Sequence, residues 1–289
     1  MDSELRRKFS DIGELDQAES MESSKSFWSK FSIIFLILLV SVSTGAGALN
    51  DGVQGAFLFD GDFTDETGTQ DLSASGTSPS SNSTAIVNSA YLFDETSGEF
   101  LQRSPQVDTT SAWTINGWCL SNKVGQDSEP CFFFEDSGAM EFIGVNIRTD
   151  SYLKIGTAGK TGGNGAISMS DGTYHMITLV WTGSKFQGYV DGQFDYEVTP
   201  SSTGFMSSLD EFTVGGNIEN GAGSQYLEGN VDEVTVWNRE LSDAEVSDLY
   251  NSGSYEQYPF SAINDVNEAP SISITEPSNN TEFTDGDNV

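Results

Sequence analysis

From Ala56 onward, apolar and polar residues alternate in short runs, and clusters of Gly, Ser, Asn and Asp separate these runs. A period of two over roughly four to eight residues is typical of a β-strand with one buried face. We expect such strands to form an all-β sandwich of two antiparallel sheets, with a polar loop from Ser73 to Ser83. The predicted strands are Ala56–Phe59, Ala90–Phe93, Trp113–Leu120, Cys131–Phe134, Phe142–Arg148, Tyr152–Ile155, His175–Trp181, Phe186–Val190, Phe212–Val214 and Val231–Trp237.

One short C-terminal helix is predicted at Ser242–Asn251, because its start carries a complete capping signal. Ser242 begins an S-x-x-E capping box that Glu245 completes, and Leu241 with Val246 forms a hydrophobic staple. Gly253 is expected to end the helix, since glycine readily takes the left-handed conformation of a helix C-terminus.

The last strand carries an acidic residue among apolar ones. By the period of two, Asp232 falls on the same face as Val234 and Val236. An inward carboxylate is costly unless it is hydrogen-bonded or holds a metal ion. Asp232 is therefore expected either to accept backbone N–H bonds or to bind a cation.

The N-terminal segment predicts export. Ile33 to Val40 is an unbroken apolar run, preceded by five basic residues and followed by none until Arg103. This asymmetry places residues 1–30 in the cytoplasm or the n-region and everything after Ala48 outside. Segment 31–48 is either a signal peptide, cleaved after Ala48, or a signal-anchor transmembrane helix. The chain is thus expected at the cell surface, anchored or secreted.

The chain is strongly acidic, with 44 Asp and Glu against 12 Lys and Arg and a formal charge of −32. Nucleic acid is excluded as a partner class, because phosphate binding needs a basic surface. A solvated acidic surface with few lysines also suggests a protein suited to high salt, which screens self-repulsion. The alternating apolar runs argue against disorder.

Cys119 and Cys131 are the only cysteines. In an exported chain they predict a disulfide that pins a hairpin, since one ends a strand and the other begins the next. Closing this loop is worth about 3 kcal/mol at most. The alternative is a pair of small buried residues. A catalytic thiol is not expected, because the only histidine, His175, lies within a predicted strand.

Three segments, in this order, resemble the laminin-G-like, or concanavalin A-like, jelly rolls. Phe57–Asp62 with Asp65–Gly68 resembles the opening strand and its acidic loop, and Tyr174–Trp181 with Lys185–Gly192 resembles two central strands that end in Tyr-Val-Asp-Gly. Val231–Arg239 resembles the closing strand. The resemblance covers about 50–259 and implies a jelly-roll fold, but says little about the ligand, because this fold hosts many functions.

The resemblance also implies a structural Ca²⁺ beside the closing strand. Asp232 would be the closing-strand ligand and Asp65, from the Asp-x-Thr-Gly turn, its partner, with Asp60 and Asp62 as further candidates. Carboxylates and loop carbonyls suit a hard cation that takes roughly six to eight oxygens. The linear EF-hand spacing is absent, so separated segments would have to build the site.

No catalytic constellation is evident in the sequence. Laminarinase-type hydrolases of this fold need Glu-x-Asp-x-x-Glu or a near variant on one strand, whereas Glu135 and Asp136 are adjacent and point opposite ways. We therefore expect a non-catalytic, calcium-stabilised recognition or adhesion module that binds a glycan or a cell-surface protein. The alternatives are an accessory domain of a polysaccharide-degrading enzyme and an architectural spacer of an adhesin. Four tryptophans in predicted strands are assigned to the core: Trp113, Trp118, Trp181 and Trp237.

After Pro259 the composition changes to that of a linker, 260–269. Segment 270–289 then resembles the first strands of an immunoglobulin-like repeat. This predicts that the chain is the N-terminal piece of a longer surface protein, with a frayed tail as the alternative.

Overall fold

The computed structural model describes residues 49–123, 129–148, 150–157, 163–169, 171–219 and 222–261. All of them belong to the second of two compact units, Gly45–Val289. The predicted signal or anchor segment 31–48 and the predicted immunoglobulin-like segment 270–289 lie outside the described residues. Within the described part, no helix is both long and apolar enough to cross a membrane.

The strands pair as two large antiparallel sheets and one hairpin. In chain order they are β1 (Val53–Phe57), β2 (Ser73–Ser75), β3 (Ser80–Asn82), β4 (Ala90–Phe93), β5 (Phe100–Arg103), β6 (Trp113–Ser121), β7 (Glu129–Glu135), β8 (Phe142–Ile147), β9 (Tyr152–Thr157), β10 (Gly163–Ser168), β11 (His175–Trp181), β12 (Phe186–Val190), β13 (Gln193–Val198), β14 (Glu211–Val214), β15 (Gly216–Glu219), β16 (Ala222–Tyr226) and β17 (Gly229–Trp237). The eight-stranded sheet runs β13-β12-β11-β6-β17-β4-β3, with β1 also paired to β17. The seven-stranded sheet runs β10-β9-β8-β7-β14-β5-β2, and β15 pairs with β16. The predicted all-β, two-sheet antiparallel sandwich is confirmed.

Alternation along the strands produces two hydrophobic clusters. Ile177 and Leu179 enter the core between the sheets, whereas Met176 and Val180 lie on the outer face of the eight-stranded sheet. The core between the sheets also contains Phe57, Trp113, Phe132, Phe134, Val145, Phe212 and Val214. The outer cluster contains Leu49, Trp118, Tyr189, Trp237, Leu241, Val246, Leu249, Tyr255 and Phe260. All four tryptophans assigned to the core are buried.

Helix α1 (Asp243–Tyr250) covers part of the outer face, and its predicted capping box is present. The Ser242 hydroxyl accepts the N–H of Glu245, and the Glu245 carboxylate accepts the N–H of Ser242 at 2.9 Å. The helix ends at Asn251, whose φ of 45° supplies the left-handed cap that was predicted for Gly253. Asparagine serves here because its short polar side chain tolerates this conformation.

The packed domain extends through Phe260, the first residue of the predicted linker. The Phe260 ring stacks on Trp237 with centroids 5.8 Å apart. The side chain of Asn50 bonds both the N–H and the C=O of Phe260, at 3.1 and 2.8 Å. These contacts hold the two ends of the described domain together.

Several strands have no counterpart in the prediction. The segment predicted as a polar loop, Ser73 to Ser83, contains β2 and β3, and β5, β10, β13, β15 and β16 were missed as well. Of these, β2, β3, β10 and β13 lie at the ends of the two large sheets, where one side of the strand faces solvent, whereas β5 lies inside the seven-stranded sheet and β15 and β16 form the separate hairpin. An edge position needs few apolar residues, so the hydrophobic period is weak there.

The two cysteines lie in different sheets, Cys119 in β6 and Cys131 in β7, so the predicted hairpin between them is wrong. Both are buried free thiols within the core between the sheets. Burial raises the pKa of Cys119, and the hydrogen bond that its thiol donates to Cys131 adds to this effect. The two thiols therefore face each other between the sheets, and a disulfide between them would join the two sheets.

Candidate functional site

A β-bulge in the closing strand builds the first candidate site. The pairing of β17 with β6 shifts between Asp232 and Thr235, and Glu233 has a φ of 54°. One extra residue in a strand resets its alternation. Asp232 therefore lies opposite Trp118 on the outer side of the sheet, whereas Val234 faces the core between the sheets. The prediction that Asp232 shares a face with Val234 and Val236 is wrong for this reason.

The Asp232 carboxylate is fully buried, and only one of its two oxygens is satisfied. Oδ2 accepts the N–H groups of Ile86 at 2.8 Å and Val87 at 3.3 Å. Among the described residues, Oδ1 has no hydrogen-bond partner. Backbone N–H bonds, which the sequence analysis gave as the alternative to a cation, therefore satisfy Oδ2 only. Oδ1 remains a buried acceptor without a donor among the described residues.

The neighbouring Glu233 repeats this pattern. Its Oε1 accepts the Gln257 amide at 2.6 Å, and its buried Oε2 has no partner within the described part of the chain. The same Gln257 amide lies 3.4 Å from Oδ2 of Asp60, which also accepts the Asn88 amide at 2.8 Å. The bulge thus gathers three acids, Asp60, Asp232 and Glu233.

Burial raises the pKa of Asp232 to about 7, and the charge of Asp60 adds to this effect. Burial and the charge of Asp232 raise the pKa of Glu233 to about 9. Two adjacent carboxylates in a low dielectric cannot both ionise without compensation. At neutral pH the bulge must therefore hold either a proton or a cation.

Asp65 serves a different purpose. Its Oδ1 accepts the N–H groups of Ala56 and Thr67 and the Thr67 hydroxyl, at 3.1, 3.0 and 2.7 Å. Its Oδ2 pairs with Nη1 of buried Arg103 at 3.0 Å. Burial would raise the pKa of Asp65, but these hydrogen bonds outweigh it, and the pKa is lowered.

Asp65 consequently shares no hydrogen-bonding partner with Asp232, and its oxygens are already occupied. Asp62 is exposed and accepts the N–H of Thr64 at 3.0 Å. Of the four predicted calcium ligands, the structure brings together Asp232 and Asp60, and it adds Glu233, which the sequence analysis missed. The sequence shows that Glu233 follows Asp232, but it does not show that Glu233 takes a left-handed backbone conformation and so forms the bulge.

The fit to a metal ion is partial. In the described ranges, no group of three or more His, Cys, Asp or Glu side chains is arranged to hold a metal ion. Asp232 Oδ1 and Glu233 Oε2 nevertheless form a pair of buried, unpartnered carboxylate oxygens, the donor type that Ca²⁺ prefers. Water and main-chain carbonyls would have to complete the coordination.

His175 is buried, as expected for a core residue, but two acids hold its ring. Nδ1 lies 2.8 Å from Asp191 Oδ2, and Nε2 lies 3.0 Å from Asp171 Oδ1. Burial would lower the pKa of His175, but Asp191 and Asp171 together raise it. Both ring nitrogens are engaged, so His175 ties the loop at Asp171 to the turn at Asp191.

The acids considered for hydrolysis are structural. Glu135 is buried and accepts the Thr213 hydroxyl and the N–H of Ile218, both at 2.5 Å, which anchors the β15–β16 hairpin. Asp136 accepts the N–H of Gly138 at 2.9 Å in the following turn. The two carboxylates thus hold the hairpin and the turn in place.

Two concave sites lie elsewhere on the domain. One, about 380 Å³, lies between the turn at Asp191 and the end of α1, and its lining includes Asp191 and Asp248. The other, about 310 Å³, lies beside Tyr226, between β5, β2 and the β15–β16 hairpin. Residues far apart in sequence line both cavities, so neither was visible in the sequence.

The two-sheet antiparallel sandwich with one short capping helix is the architecture of concanavalin A-like domains. A family model described as the concanavalin A-like lectin/glucanases superfamily matches residues 94–247, just over half of the chain. The chain belongs to this superfamily. No curated protein matches it.

Solved structures share the fold at low sequence identity. Domain 4 of AbnA, an extracellular arabinanase from Geobacillus stearothermophilus, in complex with arabinotriose, is 14% identical with a TM-score of 0.53, and the match covers 68% of this chain and 97% of that domain. Trypanosoma rangeli sialidase is 14% identical, with a TM-score of 0.54 and coverages of 70% and 33%. The binding domain of botulinum neurotoxin serotype D/C is 12% identical, with a TM-score of 0.53 and coverages of 71% and 53%. The chain thus spans a third of the sialidase and about half of the toxin domain.

Proposed function

We propose that this chain is a non-catalytic recognition module that binds a glycan outside the cell. The observation that carries the proposal is the match over 97% of an arabinanase domain that was solved with arabinotriose. The structural roles of Glu135, Asp136 and His175 support a binding role over a hydrolytic one. The charge asymmetry around Ile33 to Val40 supports an extracytoplasmic location.

The second candidate is an accessory domain of a larger polysaccharide-degrading enzyme. It is favoured by the same match, because that domain belongs to an arabinanase. The third candidate, an architectural spacer, would bind no sugar at all.

We also propose that Ca²⁺ binds at the bulge, with Asp232 and Glu233 as side-chain ligands and Asp60 beside them. The support is the pair of buried, unpartnered oxygens together with the raised pKa of both acids. Bound there, the cation would neutralise the pair and complete the coordination that protein donors leave open. Asp65 and Asp62 are not included, because Arg103 already neutralises Asp65 and Asp62 is exposed.

The test is a glycan array probed with the full chain, once with Ca²⁺ and once with EDTA. Binding to one glycan class in both conditions, or in Ca²⁺ alone, is the expected result. Absence of binding in both conditions would leave the spacer as the better description. Hydrolysis of a bound oligosaccharide, followed by chromatography of the products, would overturn the non-catalytic assignment.

A further inference from the structure

The cavity beside Tyr226 has a volume of about 310 Å³. This lies at the lower end of small-molecule sites, which run from roughly 300 to 1,000 Å³. Its walls come from the edge strand β2 and its neighbour β5, from the turn that ends at Gly98, and from the β15–β16 hairpin. Rigid strands therefore form most of the cavity.

The Tyr226 ring is half-buried, and its neighbours hold it in place. It packs against Phe100 with ring centroids 6.1 Å apart. A Cβ added to Gly98 would lie 3.4 Å from the ring, and one added to Gly223 would lie 2.5 Å from the Tyr226 hydroxyl. Because Gly223 leaves no room for a side chain, the ring rests directly on the hairpin backbone. A fixed, partly exposed ring offers a flat surface to the C–H face of a sugar.

Polar groups beside this ring have unused hydrogen-bonding capacity. Among the described residues, no hydrogen bond engages the Tyr226 hydroxyl, the Gln102 amide or the Ser75 hydroxyl, and all three residues line the cavity. The backbone carbonyl of Gln102 is already used, since it accepts the Ser73 hydroxyl at 3.1 Å. The free amide and hydroxyls match the donors and acceptors on the rim of a sugar ring.

The cavity is also neutral. None of the described residues that line it is charged, although the chain carries a formal charge of −32. The other cavity, by contrast, is lined by Asp191 and Asp248. The negative potential of the protein would repel an anionic sugar, and no cationic side chain among the described lining residues would offset this repulsion. A neutral sugar is not repelled in this way.

We infer that the Tyr226 cavity is the glycan-binding site of this module and that it takes a neutral sugar residue. Tyr226 stacks on the sugar, and Gln102 and Ser75 hydrogen-bond to its hydroxyl groups. The inference rests on the proposed glycan-binding function, and it specifies the site and the ligand class.

The experiment compares the full chain with its variants on a glycan array that carries neutral pento- and hexo-oligosaccharides beside sialylated and sulfated glycans. The tightest neutral glycan, with arabinotriose included, is then titrated by calorimetry. Y226A is expected to weaken binding by at least about tenfold. Q102A is expected to weaken it by a smaller factor. F194A, which removes an aromatic residue that is 47% exposed on β13, should leave it unchanged.

Because Tyr226 also packs on Phe100, S75W provides a variant that keeps this contact and fills the cavity with an indole. It should abolish binding while its melting curve stays close to that of the wild type. Binding of a neutral glycan that survives both Y226A and S75W would overturn the site but not the proposed function. Binding of sialylated or sulfated glycans alone would overturn the ligand class. Absence of binding to every glycan would overturn the proposed function itself.

Discussion

Asp232 lies directly opposite Trp118 on the outer face of the eight-stranded sheet, although its neighbour Val231 faces Cys119 in the core between the sheets. The bulge at Glu233 follows at once and returns Val234 to the core. Two acids are therefore buried side by side without their charges entering the main core. Ionising these two buried carboxyl groups costs free energy, and this cost is the basis for the expected effects of pH and of Ca²⁺ on stability.

Without a cation, stability should fall as the pH rises from about 4 to about 9. The pKa values of about 7 for Asp232 and about 9 for Glu233 lie above the ordinary value near 4, so the folded state binds more protons than the unfolded state across this window. Asp232→Asn should flatten the profile, with a gain on the order of 2 kcal/mol at pH 8. Thermal melts in EDTA from pH 5 to 9 measure this, with Asp62→Asn as an exposed control. A variant that keeps the wild-type slope would contradict the raised pKa of Asp232.

Saturating Ca²⁺ should raise the melting temperature at fixed ionic strength. A ligand at about 100 times its Kd stabilises the folded state by about 2.7 kcal/mol. Asp232→Asn should lose this response, whereas Asp62→Asn should keep it. An unchanged melting temperature on addition of Ca²⁺ to the EDTA-treated wild type would rule out the cation site.

Replacing Arg103 by Met should destabilise the domain by about 3–5 kcal/mol, because it leaves the Asp65 carboxylate buried without its counter-charge. The double variant Arg103→Met/Asp65→Asn should recover part of this loss. Urea unfolding of both single variants and the double variant gives the coupling energy. If the losses of the two single variants simply add up to the loss of the double variant, the ion pair contributes nothing beyond packing.

The proposed extracellular location predicts a disulfide between Cys119 and Cys131, because the two thiols face each other across the core and extracellular compartments are oxidising. The intact mass should be lower by two hydrogens, and no thiol should react after unfolding. Reduction should cost about 3 kcal/mol of stability. Two reactive thiols in the unfolded exported protein would favour the alternative of two small buried residues.

His175→Gln should destabilise the protein more at pH 5 than at pH 9. The folded-state pKa of His175 is raised, so the stabilisation from its charged form is complete below the ordinary pKa near 6.5 and is lost as pH rises through the higher value. We expect a loss of about 1–2 kcal/mol at pH 5, because Asp171 is largely exposed and solvent screens its share. An equal loss at both pH values would indicate that only packing was removed.

Within residues 50–259, the sequence by itself determined the features that depend on a local pattern of residues, namely the main strands and the helix. The two-sheet class followed from short, largely apolar runs such as His175–Trp181, which clusters of turn residues separate along the chain. Helix α1 followed from Ser242 and Glu245, because a capping box is completed within four residues. The edge strands β10 and β13 were missed, because a strand with one side in solvent needs little hydrophobic signal.

Only the tertiary structure decided which acids share a site. Asp65 and Asp232 look equivalent as sequence, yet Arg103 of β5 neutralises Asp65, whereas Asp232 accepts the N–H of Ile86 through Oδ2 and its Oδ1 has no partner among the described residues. The Tyr226 cavity likewise draws on strands and turns that no local pattern relates. Charge compensation and cavity shape depend on groups that are distant along the chain. They are therefore set by how the sheets pack, and one extra residue at a bulge is enough to send a side chain to the other face.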